Sequence, residues 1–361
     1  MISHFFRRTG FWAAGFMALG VGALCLLYPQ AALSGFIHGA ENCYNRVIPT
    51  LFPFFIVTQL IMSSPLSRVL GRPLRPYLKL LGIQSDGAAS ALVLGTLGGF
   101  AVFSKALSAC CEKKEITYRQ AGVLLIAGLN AGPSFIVGGV GFLLLGNSMV
   151  GALLLASLLI SSFVCAVPFG LFIKKKAIPP APSSQCAAIQ KANPADVFVD
   201  AVKQASLSSL SICGFVIFFN MLTQLLCQNA SASTQYITAA LLEVTTGCSY
   251  GAGLSGSLRL YAPLAALSIL GLSILTQAKA LLPKGVSLFP FLCSRLLHLP
   301  LSAIIFAVGL HLFPDVAVCA STRSFVPAMR FDWFGVFALL GMSLSLIFEC
   351  TPRSLFTKTE K

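Results

Sequence analysis

Eight stretches of this chain are nearly free of charge and long enough to cross a bilayer as helices: 11–28, 47–63, 120–146, 149–173, 205–227, 260–277, 286–312 and 331–349. About 20 apolar residues span the hydrocarbon core, and a helix is favoured there because it pairs its own backbone amides where lipid offers no partner. The composition agrees, with 56% hydrophobic and 10% charged residues, against about 25% charged in a soluble domain. So few charges cannot coat a soluble particle, but they suffice for a surface that faces lipid. The sequence therefore predicts an all-α polytopic membrane protein whose first partner is the lipid bilayer.

Two further apolar stretches, 88–103 and 237–256, are short and rich in glycine, which disfavours long unbroken helices. They read as re-entrant segments, tolerated at membrane depth only where they are buried in protein or line a cavity. Charge supports this layout. With the N-terminus in the cytoplasm and both stretches re-entrant, twenty of the 25 Lys and Arg residues fall on the cytoplasmic side. Four fall outside (Arg46, Arg259, Arg323 and Arg330), and Arg295 lies within a span. That asymmetry has the sign of the positive-inside bias and puts both termini in the cytoplasm, in a cell (inner) membrane.

The longest polar connection, 174–204, carries Lys174–Lys176 and a run of prolines and serines, and reads as a cytoplasmic linker. It separates two units with the same order of elements, 47–173 and 205–312, the first starting from outside and the second from inside. This predicts an inverted-topology repeat, as in many secondary transporters. Residues 1–46 (a first helix and external loop) and 313–361 (an external loop, last helix and tail) fall outside it. The basic, apolar N-terminus looks like a signal peptide but lacks a clean A-x-A-like site, and is read as an uncleaved helix.

The same pattern excludes other classes. The net charge of +14 is explained by the cationic loops, and no basic domain interleaved with aromatics points to nucleic acid. The twelve cysteines are scattered without a CxxC pair, so neither a disulfide framework nor a metal site is expected. Four scattered histidines and no nucleophile–base set argue against an enzyme, and no cofactor is implied.

Candidate solute-binding residues sit where helices break. They are Gly98, Gly99 and Ser104 in the first glycine-rich stretch, and Asn130, Gly132, Pro133 and Ser134 around a mid-span proline. Glu243, Thr245, Thr246 and Gly247 form a third group, in which a carboxylate at membrane depth is a functional candidate by default. The Gly95–Lys105 segment lacks the G-x-x-x-x-G-K-[ST] spacing of a phosphate loop. Arg295 shares a helix face with His298; it either pairs with Glu243 or extends toward the cytoplasm.

Four segments together carry a resemblance: Val47-Ile48-Pro49-Thr50-Leu51-Phe52-Pro53-Phe54-Phe55, Gly98-Gly99-Phe100 with Ser104-Lys105, Asn130-Ala131-Gly132-Pro133-Ser134-Phe135-Ile136, and Leu242-Glu243-Val244-Thr245-Thr246-Gly247. Over roughly 40–350 the chain resembles the sporulation integral membrane protein YlbJ family of spore-forming Firmicutes, which carries a nucleoside recognition, or Gate, domain. Where that family often shows G-Y-P-x-G-A-K, this chain has Gly99-Phe100-Ala101-Val102-Phe103-Ser104-Lys105. The resemblance implies an inner-membrane protein needed for spore formation. The expected function is a transporter or gated channel for a small polar solute; the alternative is a non-transporting scaffold in spore cortex or coat formation. Neither substrate nor oligomeric state is specified.

Overall fold

The computed structural model describes residues 2–174 and 194–314, and every regular element among them is helical. Six helices are long and apolar enough to cross a membrane: Pro29–Met62, Asp86–Glu112, Ser148–Ile173, Ala195–Leu226, Leu258–Leu281 and Phe289–Leu312. Their outer faces expose large apolar side chains such as Phe172, Leu296 and Leu312, while Ser161, Ser162, Arg295 and His298 are buried. A soluble protein rarely leaves so much apolar surface open; lipid is the solvent that suits it. The chain is a multi-pass, all-helical membrane protein.

Helix α1 (Ile2–Leu27) is followed by α2 (Pro29–Asn42), one turn of π-helix (Cys43–Val47) and α3 (Ile48–Met62). Much of 29–46, expected as an external loop, is thus helical. Pro29 takes the first helical position, where its missing N–H costs nothing. Gly35 and Gly39 let α2 lie against α9 (Pro194–Leu226): a Cβ on either would fall 2.6 Å from Met221 Cα or 2.7 Å from Ile217 Cα. Helix α9 also begins earlier than the expected span at 205, so the end of the expected linker is helical. The rest of that linker, 175–193, and the expected last crossing at 331–349 lie outside the described residues.

After two short helices, α4 (Leu66–Gly71) and α5 (Arg75–Leu80), comes α6 (Asp86–Glu112). Its length and composition suit a span, but its contacts fold it in two. Gly99 has φ 76° and ψ −170°, far from helical. A Cβ on Gly95 would lie 2.7 Å from Phe103 Cβ, and one on Gly87 3.3 Å from Cys110 Sγ. Gly87 and Cys110 would be about 35 Å apart along a straight helix. Ser85 Oγ at one end donates to Glu115 Oε2 at the other, at 3.1 Å. Helix α6 is therefore a hairpin of two antiparallel arms with its tip at Gly99. Each arm is about 20 Å long, short of the roughly 30 Å hydrocarbon core.

Helix α7 (Tyr118–Gly128) starts on a capping box between Thr117 and Gln120. It ends before Asn130, and the chain resumes after Pro133 as a π-helix (Ser134–Leu144) and then α8 (Ser148–Lys174). Beyond α9 the same order returns. Helices α10 (Ala232–Leu242) and α11 (Val244–Ala252) form a second hairpin, since a Cβ on Gly247 would meet Ala240 Cα at 2.6 Å. Helices α12 (Leu258–Ile269) and α13 (Gly271–Leu281) are halves of a broken helix, and α14 (Phe289–Leu312) closes the set. The stretch 260–277, expected as one continuous crossing, is interrupted by left-handed backbone at Leu270 (φ 68°) and Gly271 (φ 66°).

Candidate functional site: two hairpin tips against two helix breaks

Each hairpin tip is seated in the break of the helix that follows it. At the first, a Cβ on Gly99 would stand 2.8 Å from Gly132 N, in the interruption between α7 and the π-helix. The pair φ 76°, ψ −170° is open essentially to glycine alone. Gly99→Ala is therefore expected to cost about 2–3 kcal/mol, strain and clash together. Thermal unfolding in detergent would read this as a clear drop in melting temperature, and an unchanged melt would refute the close seating.

At the second tip, Gly271 lies against the peptide of Glu243; a Cβ there would fall 3.1 Å from Glu243 N. Leu270, with φ 68°, carries the strain that the break requires, about 1–2 kcal/mol for a residue with a Cβ. Glu243 is extended (φ −150°, ψ 127°) and caps α11 with its side chain. Thr245 N donates to Oε1 at 2.9 Å, while Thr246 N and Thr246 Oγ1 donate to Oε2 at 2.7 and 2.9 Å. The carboxylate is 2% exposed. It thus takes the place an anion would occupy at a helix N-terminus.

Both tips, the first break and α13 just beyond the second break border one small cavity of about 30 Å³. Phe55, Gly98, Gly132, Ile212, Glu243 and Gln277 are among its walls, so both halves of the chain contribute. That volume holds little more than a water molecule. Of the expected residues, Gly98, Gly99, Gly132, Glu243 and Thr245 line the cavity. Thr246 stands one hydrogen bond behind, and Gly247 provides the close packing of the second hairpin. Pro133 and Ser134 begin the π-helix. Ser104 is buried in the returning arm of the first hairpin, with no hydrogen-bond partner for its Oγ among the described residues.

Asn130 and Arg295 belong to a second polar cluster. Arg295 was expected either to pair with Glu243 or to extend toward the cytoplasm, and it does neither. It is 8% exposed, and its Nη1 donates to Ser268 O (3.2 Å) and its Nη2 to Ile126 O (3.4 Å). These are carbonyls of the last turns of α12 and α7, freed because both helices break there. One cation thus bonds a carbonyl at each broken end, favoured by the partial negative charge of each helix C-terminus. The Phe291 ring, 4.1 Å from the guanidinium carbon, adds a cation–π contact. His298 lies beside it, with Nε2 3.1 Å from Leu158 O and 3.0 Å from Ser162 Oγ, and Nδ1 2.6 Å from Ser268 Oγ. Ser162 Oγ donates to Asn130 Oδ1 at 3.1 Å. A neutral imidazole protonated at Nε2, donating to Leu158 O, fits this network.

Sequence reasoning missed Asn220 and Gln277, whose polar groups lie inside long apolar runs with no local mark. It also missed Ser162 and Ser268, ordinary small residues until the fold brings them to His298.

No protein-family model matches the chain, and no solved structure matches it. Among curated proteins, the sporulation integral membrane protein YlbJ of Bacillus subtilis (strain 168) is 23% identical over 219 residues, 56% of this chain. The match covers 54% of that protein, so it spans about half the length of the relative. The chain is a distant relative of the sporulation integral membrane protein YlbJ.

Proposed function

We propose that this chain is a membrane transporter for a small polar solute, built from two inverted-topology repeats that alternate access to the cavity between them. What supports the reading above all is that each of two hairpin tips is seated in a helix break, and that both tips border one cavity with a buried carboxylate. Broken helices aim free backbone groups and half-helix dipoles at such a point. The first repeat runs through α2–α3, the α6 hairpin, α7 with the π-helix, and α8. The second runs through α9, the α10–α11 hairpin, α12–α13 and α14. A non-transporting scaffold has no need of a strained Leu270 or a buried Glu243. The distant relationship to a sporulation protein supports a role in spore formation, and the reading takes a Gate-like core with about eight crossings in all. Uptake by the purified chain in sealed vesicles, screened over polar solutes, tests the reading; absence of uptake with well-folded protein would sink it.

Orientation follows from charge. With both termini and the linker in the cytoplasm, a cysteine introduced at Gln185 is expected to react with a membrane-impermeant thiol reagent only after the cells are opened. Residue 185 lies outside the described residues, and the cationic linker carries the argument. Labelling of intact cells would overturn it.

A further inference from the structure

The cavity wall contains one carboxylate, that of Glu243, and no Lys, Arg or His. Among the described residues Glu243 makes no ion pair. A carboxylate offers about four acceptor positions, two on each oxygen. Both on Oε2 are filled by Thr246, and one on Oε1 by Thr245. These donors offset part of the cost of burying the carboxylate charge. The Thr245 hydroxyl also faces the carboxylate, so what this buried anion lacks is not a donor but a counter-charge. Such an anion is costly unless something positive joins it.

A buried acceptor is short of a partner in the same hydrogen-bonded chain. Thr246 Oγ1 spends its proton on Glu243 and so accepts from Asn220 Nδ2, at 3.2 Å. That fixes the orientation of the Asn220 amide. Its Oδ1 has no partner, and the residue is 2% exposed. The first arm of the α6 hairpin ends at Gly98 on the same cavity, and the last carbonyls of a helical arm have no partner within it. Nearby basic groups are engaged elsewhere: Arg46 on Asn42 and Ser249, Arg295 on Ser268 and Ile126.

A buried carboxylate without a counter-charge in the wall of a space of about 30 Å³, with the unpartnered Asn220 Oδ1 behind it across Thr246, describes a site for a small positive ion. One carboxylate matches one charge. Ca²⁺ takes 6–8 oxygen ligands and Mg²⁺ keeps several of its waters, which asks more room and more oxygens than this cavity holds. The rings of Phe55, Phe100 and Phe135 in the wall are compatible with a cation.

We propose that Glu243 and Asn220 mark a binding site for a small monovalent cation at the junction of the two hairpin tips, and that this cation is the coupling ion of transport. The second clause rests on the transport reading; the first does not.

The test is thermal unfolding of the purified full chain in detergent, at fixed pH and ionic strength. The chloride salts of lithium, sodium, potassium and ammonium are compared with that of N-methyl-D-glucamine, which is too large for the cavity. At least one small cation is expected to raise the melting temperature saturably, as ligand binding to the native state requires. Glu243→Gln is expected to abolish that response, and Asn220→Ala to weaken the apparent affinity about tenfold. Equal melting in all salts, or the same saturable response in Glu243→Gln, would overturn the site. A melt that follows pH while every cation is inert would also overturn it, assigning a proton instead. Should Glu243→Gln fail to fold, unchanged affinity in Asn220→Ala would decide against the site. Cation binding without uptake into vesicles defeats the transport reading alone. Uptake without cation binding defeats the ion site alone.

Discussion

Arg295→Met is expected to leave little folded protein in the membrane. The substitution keeps the volume and apolar stem but strands the carbonyls of Ile126 and Ser268, which Arg295 holds at 3.4 and 3.2 Å. A buried acceptor left unsatisfied costs about 1–3 kcal/mol, so two cost about 2–6 kcal/mol. Lost contact with Phe291 adds to this. Against a total stability of about 5–15 kcal/mol, that is a large share. Arg295→Lys should fall between, because an ammonium is a point donor and cannot span two carbonyls as the planar guanidinium does. Size-exclusion profiles and melting curves of detergent extracts measure both variants. Wild-type yield and melting in Arg295→Met would show that the two broken ends do not depend on this cation.

Glu243→Gln is expected to abolish uptake while leaving most of the protein folded. The amide keeps one acceptor for the N-terminus of α11 but turns a donor toward one of the three groups that now donate to it. Losing a good cap costs about 0.5–2 kcal/mol, small beside the loss of the cavity's only charge. Vesicle uptake against protein amount separates the two effects. Full uptake in this variant would remove Glu243 from the mechanism. Because Arg295 bonds carbonyls and not Glu243, Arg295→Met should bring no rescue of Glu243→Gln; the two losses should add.

The sequence made some of this architecture readable for specific reasons. Membrane residence follows from long uncharged runs, since no other solvent tolerates them. The two hairpins are visible because close antiparallel arms need glycine at the contact, as at Gly95 against Phe103 and Gly247 against Ala240. The break after α7 is announced by Pro133, which no helix carries without loss. The break at Leu270 is not, because leucine there gives no hint of a left-handed conformation; only tertiary packing against the second hairpin holds it. Glu243 stands out as a carboxylate in apolar surroundings, whereas Asn220 looks like one polar residue on an apolar helix until Thr246 is placed beside it. The partners of Arg295 were out of reach for a related reason: they are backbone carbonyls, and a sequence does not show which carbonyls a fold leaves open.

The bond from Arg295 to Ile126 also sets a clock on biogenesis. The two residues are 169 positions apart. At about 5–20 residues per second of synthesis, the open end of α7 waits on the order of 10–30 s for the cation that closes it. During that interval the first hairpin, with arms too short to cross the bilayer, has only an incomplete chain, still without α14, for company. A membrane insertase or chaperone that shelters unfinished helices would find its client in that interval, and slowing the ribosome between α8 and α14 would lengthen the exposure.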